Sequence, residues 1–276
     1  MKNSLIPLLF SAFLSCQNEP KTVSTASKTN EATSVLLEKI ADIPLPKGFK
    51  RAETDAFGAF LRHLKLKKDK TVYLYDGRLK GNQSAQFAVL DVSVGDRDLQ
   101  QCADAVMRLR ADFLFGKKQF DAIKFSDGDG FVMNFDRWAV GNRIVFSQNK
   151  LHWETCKTCN ASELSFMNYL NVVFAFAGTA TLSKELTPLS NVSDIEVGNV
   201  FIKGGSPGHA VIVVDVAVNL EGKKVFLLAQ SYMPAQDIHV LKNLSDVKLS
   251  PWYSTDFEDV LNTPEWRFKK EELKKF

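Results

Sequence analysis

The chain has 276 residues, 45% of them apolar and 24% charged, which is enough to build a sizeable core and excludes an intrinsically disordered chain. Twenty-one phenylalanines point the same way, to a well-filled interior. The net charge of +3 is slight, so composition gives no ground for a nucleic-acid partner.

At the N-terminus, MKNSLIPLLFSAFLSCQNEP sets Lys2 before an apolar run, Leu5 to Leu14, that is too short to cross a bilayer. The run ends in Phe13-Leu14-Ser15-Cys16, which resembles the lipobox of bacterial lipoproteins. That resemblance implies that residues 1–16 are a signal peptide and that Cys16 becomes the lipidated first residue. The mature chain would then be tethered to a membrane in the cell envelope without spanning it. An ordinary signal peptide with an incidental Cys16 is the alternative. Residues 17–34 are polar and rich in Ser and Thr, the composition of a flexible tether. Residues 35–276 have no later stretch of linker composition and are read as one globular domain.

Within that domain DAFGAFLRHLKL predicts a short helix with Phe57, Phe60, Leu61 and Leu64 on one face. TVYLYDG and QFAVLDVSVG predict strands ended by glycine. DRDLQQCADAVMRLRADFLFG predicts a long helix, with Asp98 and Gln101 as a capping box and Gly116 as its stop. The alternation between Ala122 and Glu154 predicts antiparallel strands, with SDGDG as a hairpin turn and not a calcium loop. SELSFMNYLNVVFAFAGTATLSKEL predicts a second long, largely buried helix. IEVGNVFIKGG, HAVIVVDVAV and KKVFLLAQSY predict three strands, the last two joined by a turn at Glu221-Gly222. Helices placed between groups of strands predict an α+β fold, a mostly antiparallel sheet packed against two long helices.

Four cysteines are present. Cys156 and Cys159 form a C-x-x-C pair that suits a local disulfide or two loop thiols; with His152 upstream a metal site is a weaker option, and no metal or other cofactor is expected. Cys102 has no evident partner. Its spacing with Leu99, Val106, Leu109 and Phe113 fits a buried core cysteine. Counted from an Asp98 cap it also lies near the helix start, where the dipole can favour a thiolate. Asp104, Arg108 and Asp112 follow at i, i+4 spacing and suggest a salt-bridged solvent face.

His209 opens a long apolar strand after a Gly/Pro turn. A two-residue turn at Glu221-Gly222 would set His209 opposite Pro234 and Val211 opposite Tyr232, with Gln230 on the same side but four residues from the facing position. A Gln230 carbonyl could accept Nδ1–H of His209 and leave Nε2 to take a proton from Cys102. Gln236 is the second candidate for that role, Tyr232 is a neighbour of the same face, and Tyr75 is a candidate oxyanion partner.

VYLYDGRLK, DLQQCADAVMRLRADFL, GHAVIVVD and LLAQSYMPAQDIHVLKN together resemble an uncharacterised family of bacterial lipoproteins, a domain of unknown function. Between Val197 and about Tyr232 the order of parts also resembles the papain-like NlpC/P60 and CHAP cysteine peptidases, although the Cys102 helix lacks the D-C-S-G signature of those enzymes. The second resemblance implies a cysteine hydrolase cutting amide bonds of cell-wall peptide, with Cys102 as nucleophile, His209 as base and Gln230 as its orienting partner. The competing expectation is a non-catalytic envelope lipoprotein that binds a glycan, peptide or partner protein through exposed aromatics such as Trp252, Tyr253 and Trp266. Oligomeric state is left open by the sequence.

Overall fold

A computed structural model describes residues 36–156 and 162–276; the expected signal peptide with Cys16, the expected tether and Cys159 lie outside them. Residues 37–276 form one compact unit of α+β type, and among the described residues every strand pairs antiparallel.

The first part of the chain supplies β1 (Phe49–Arg51), α1 (Ala56–Arg62), β2 (Gln86–Val89) and α2 (Cys102–Gly116). Two hairpins follow, β3 (Lys124–Ser126) with β4 (Val132–Asn134) and β5 (Asn142–Ser147) with β6 (Lys150–Thr155), with α3 (Phe135–Ala139) between them. The SDGDG segment is the first hairpin's turn, closed by Asp127 Oδ1 accepting from the N–H groups of Asp129 and Phe131. Next come α4 (Glu163–Phe176), α5 (Thr179–Glu185), β7 (Thr187–Pro188), β8 (Val200–Lys203), β9 (His209–Asn219) and β10 (Lys224–Gln230). The chain closes with β11 (His239–Leu241), β12 (Tyr253–Ser254), β13 (Val260–Asn262), β14 (Arg267–Lys269) and β15 (Leu273–Lys275).

The main sheet has nine strands in the path β2-β11-β10-β9-β8-β15-β7, with β1 added to β9 and β12 to β10. Its centre is β9, whose residues from His209 to Ala217 are all buried. A run of β-branched valines buried on both faces suits such a central strand. Helices α1 and α2 pack on β9, and α5 packs on β8.

The expectation of two long helices against the sheet is corrected. Among the described residues there are five helices, and the apolar segment from Ser162 to Leu186 is two of them. The break is at Ala177-Gly178: Ala177 N–H closes the last turn of α4 on Val173, and Gly178, in extended backbone, donates to Thr181 Oγ1 to open α5. Helix α4 packs chiefly against α3 and β3, and Leu164 is 74% exposed. TVYLYDG is likewise no strand. Tyr73 bridges nearby Leu79 and Leu74 bridges distant Gln236, so this segment makes isolated bridges and no continuous ladder.

One polar cluster holds the sheet to the first helix. Asp215 on β9 is fully buried and accepts from Arg51 Nε at 2.8 Å and Arg62 Nε at 2.6 Å. Arg62 also donates to the carbonyls of Ala52 and Val216, and Arg51 to that of Ile43. Trp252 and Tyr253, expected as exposed aromatics, are core residues only 1% and 2% exposed. Their polar tips donate to Pro44 O and Lys242 O, which lets them sit inside.

Candidate active site beside the start of β9

The turn before β9 is built on small residues because α5 lies against it. A Cβ on Gly208 would collide with the Gly205 carbonyl and with Thr179 Oγ1, and Thr179 itself donates to Gly205 O. This fixes where His209 enters the sheet. We expect Gly208→Ala to cost about 1–3 kcal/mol through that overlap, read as a fall in the urea midpoint. An unchanged midpoint would show that the turn has room to give.

The register of β9 and β10 decides what faces His209. The connection between them is three residues, Leu220-Glu221-Gly222, with Gly222 at φ +80° and Asn219 paired to Lys223. This is one residue longer than the expected turn. It pairs Val218 with Lys224 and Asp215 with Leu227, which by itself would turn Gln230 away from His209. A bulge then intervenes: Asp215 pairs with Leu227 but Val213 with Leu228, leaving Val214 extra. The bulge restores the parity, and turn and bulge together draw Gln230 from the level of Val213 to that of Val211, two residues nearer His209 than expected. The result is a hydrogen bond of 2.9 Å between His209 Nε2 and Gln230 Oε1.

The protons in this bond follow from its neighbours. Gln230 Nε2 lies 2.7 Å from Glu265 Oε2, and a carboxylate only accepts, so the amide N–H₂ must face Glu265. His239 lies on the same side: its Nδ1 is 2.9 Å from Asp237 O and must donate, leaving Nε2, 3.4 Å from Gln230 Nε2, as an acceptor. The Gln230 carbonyl therefore faces His209, and His209 Nε2 carries the proton. The ring's free lone pair is on Nδ1. This reverses the assignment expected from sequence, which gave Nδ1 to the glutamine.

His209 is 1% exposed and sits among aromatic rings, 4.7 Å from Tyr232, 5.2 Å from Trp266 and 5.9 Å from Phe268 between ring centres. Burial pushes its pKa down to about 4, against the smaller opposing pulls of Gln230 and Glu265.

Cys102 is the first residue of α2, with Gln101 as cap. The expected Asp98 cap is corrected: Asp98 accepts instead from Gln101 Nε2 and from Ala235 N–H, tying the loop after β10 to the helix start. Asp104 takes the capping role, accepting from Gln101 N–H at 3.0 Å. Cys102 and His209 line one cleft of about 440 Å³, together with Asp104, Tyr232, Met233 and Trp266. The N–H of Ala210, next to His209, interacts with the Cys102 sulfur. Burial nevertheless raises the thiol pKa, outweighing the N–H groups of Ala103 and Ala210, so the lowering expected at a helix start does not prevail. The resting pair is a neutral thiol and a neutral imidazole.

Asp104 is not on a solvent face. It is 6% exposed, its Oδ1 has no partner, and burial raises its pKa to about 8, while Arg108 pairs with Asp112 at 2.8 Å and also donates to Gln100 Oε1. Of the other candidates, Tyr232 lines the cleft, whereas Tyr75 and Gln236 are not among its lining residues. Tyr75 pairs through its backbone with Ala235, and Gln236 is buried with its main-chain carbonyl accepting from Ser231 Oγ. Sequence reasoning missed Glu265, Lys80 and His239. Cys156 is disulfide-bonded, and His152 pairs with Glu154 at 3.1 Å.

The family described as "Domain of unknown function (4846)" has a model that matches residues 40–275. The chain belongs to this family. Neither a curated protein nor a solved structure matches it. The matched span takes in every residue of the cleft, so the Cys102–His209–Gln230 grouping lies within the family's domain and not in an appendage.

Proposed function

We propose that this member of the family is a lipid-anchored cysteine hydrolase of the bacterial cell envelope, acting on an amide bond of cell-wall peptide. The observation that carries the reading is the His209 imidazole, held by Gln230 with Nδ1 bare, in a cleft shared with a thiol on the first turn of a helix. In the proposed reaction His209 Nδ1 takes the Cys102 proton as the sulfur bonds to the amide carbon. The N–H groups at the start of α2, orphaned in any helix, face the developing oxyanion. Collapse breaks the C–N bond, His209 returns the proton to the leaving amine, and a thioester remains. Water, deprotonated by His209, then cleaves the thioester to a carboxylic acid and restores the thiol. A neutral resting pair makes this general-base catalysis and not attack by a preformed thiolate.

The lipid anchor rests on the Phe13–Cys16 lipobox resemblance, and metabolic labelling with an alkyne fatty acid tests it: Cys16→Ser should abolish labelling. For the site, the folded protein is treated with a peptidyl electrophile and labelling of Cys102 is followed by mass spectrometry across pH. The expected result is labelling that persists well below neutrality and falls about 10²-fold or more in His209→Ala. Labelling that needs denaturant, or that ignores the histidine, would leave a non-catalytic binding protein as the reading.

A further inference from the structure

We propose that Glu265 is a positioning residue, set by Lys80, that fixes which nitrogen of His209 carries the proton. Its catalytic meaning rests on the hydrolase reading; its effect on the imidazole does not.

Glu265 lies in the loop between β13 and β14, and four groups identify its role. Its Oε2 accepts from Lys80 Nζ and from Gln230 Nε2, both at 2.7 Å, and its Oε1 accepts from Asn82 Nδ2 at 3.1 Å. Lys80 is 6% exposed, so this is an enclosed ion pair and not a surface contact. An amide is nearly symmetric in shape, and Gln230 alone could present either end to His209. Only an acceptor with no proton to give removes one of those choices. Lys80 Nζ, which can only donate, holds the same carboxylate oxygen that accepts from Gln230. His239, with its Nε2 lone pair toward the same amide nitrogen, adds a second acceptor on that side. Both neighbours enforce one orientation, and the orientation selects the tautomer.

The loop also brings Trp266 against His209, 5.2 Å between ring centres. One hairpin therefore sets both the proton and the packing of the ring.

The test is ¹⁵N NMR of histidine-labelled protein without substrate, using long-range proton–nitrogen correlations. Wild type should show His209 protonated at Nε2 and bare at Nδ1. Glu265→Gln supplies both an acceptor and a donor, leaving only the longer 3.4 Å contact to His239 to hold Gln230, and the single tautomer should give way to a mixture or to its opposite. Glu265→Asp keeps an acceptor-only group and should restore the wild-type pattern. A wild-type ring protonated at Nδ1 overturns the proposal, as does a Glu265→Gln protein with the wild-type pattern. The wild-type spectrum decides even where the variant fails to fold. Because no turnover is read, an unreactive Cys102 would end the hydrolase reading and leave this assignment standing.

Discussion

Asp215→Ala should destabilise the protein by about 3–5 kcal/mol, the range for removing one partner from a buried ion pair. The carboxylate is fully buried and answers two guanidiniums, Arg51 and Arg62, whose side chains are 26% and 12% exposed. Both arginines keep bonds to main-chain carbonyls, so they would remain in place but without a counter-charge. Val216 N–H, which also donates to Asp215, would lose an acceptor. Guanidinium denaturation should show a lower midpoint at unchanged slope. A triple replacement of Asp215, Arg51 and Arg62 by apolar residues should lose much less than the single change, because the cost lies in the stranded charge. A loss under about 1 kcal/mol for Asp215→Ala would mean that solvent reaches the arginines and screens them.

Asp104→Asn should flatten the dependence of stability on pH. A carboxyl whose pKa is higher in the folded state stabilises the fold fully below its unfolded value, near 4, and loses that contribution as pH rises through the folded value, here about 8. His209 and His239 shift the opposite way, both down to about 4; their contributions are complete above roughly 6.5 and fade only on acidification. Between pH 6.5 and 8.5 the wild type should therefore lose about 2 kcal/mol attributable to Asp104, and the asparagine variant should not. An amide oxygen can still accept from Gln101 N–H, so the helix cap survives the change. Parallel denaturation curves for the two proteins across that interval would show that Asp104 is ionised when folded.

The sequence announced those parts of the fold whose signals are local. Phe57 and Leu61 face the core at helical spacing, and β8, β9 and β10 stand where glycines and valine runs place them. The split between α4 and α5 was hidden because Ala177 and Gly178 interrupt an apolar run without a proline or a charge. The false strand at TVYLYDG came from an alternation that is met by isolated bridges, one to nearby Leu79 and one to distant Gln236, and not by a continuous ladder.

For the site, residue types pointed to Cys102, His209 and Gln230, and the last two do meet. Two things could not be foreseen. The choice of ring nitrogen depends on protons set by Glu265 and His239, far along the chain. Glu265 itself sits in a charged, tryptophan-bearing tail that reads as surface, and only its burial with Lys80 reveals otherwise.

The three-residue connection after Asn219 and the spare Val214 each move the pairing of β10 along β9 by one residue, and their sum is what carries Gln230 from the level of Val213 to that of Val211. A chain of the same length that paired these strands without the kink would turn the glutamine to the far face of the sheet. Cousins that hold glutamine behind histidine and keep this strand length should therefore keep the kink, whatever side chain fills the position of Val214.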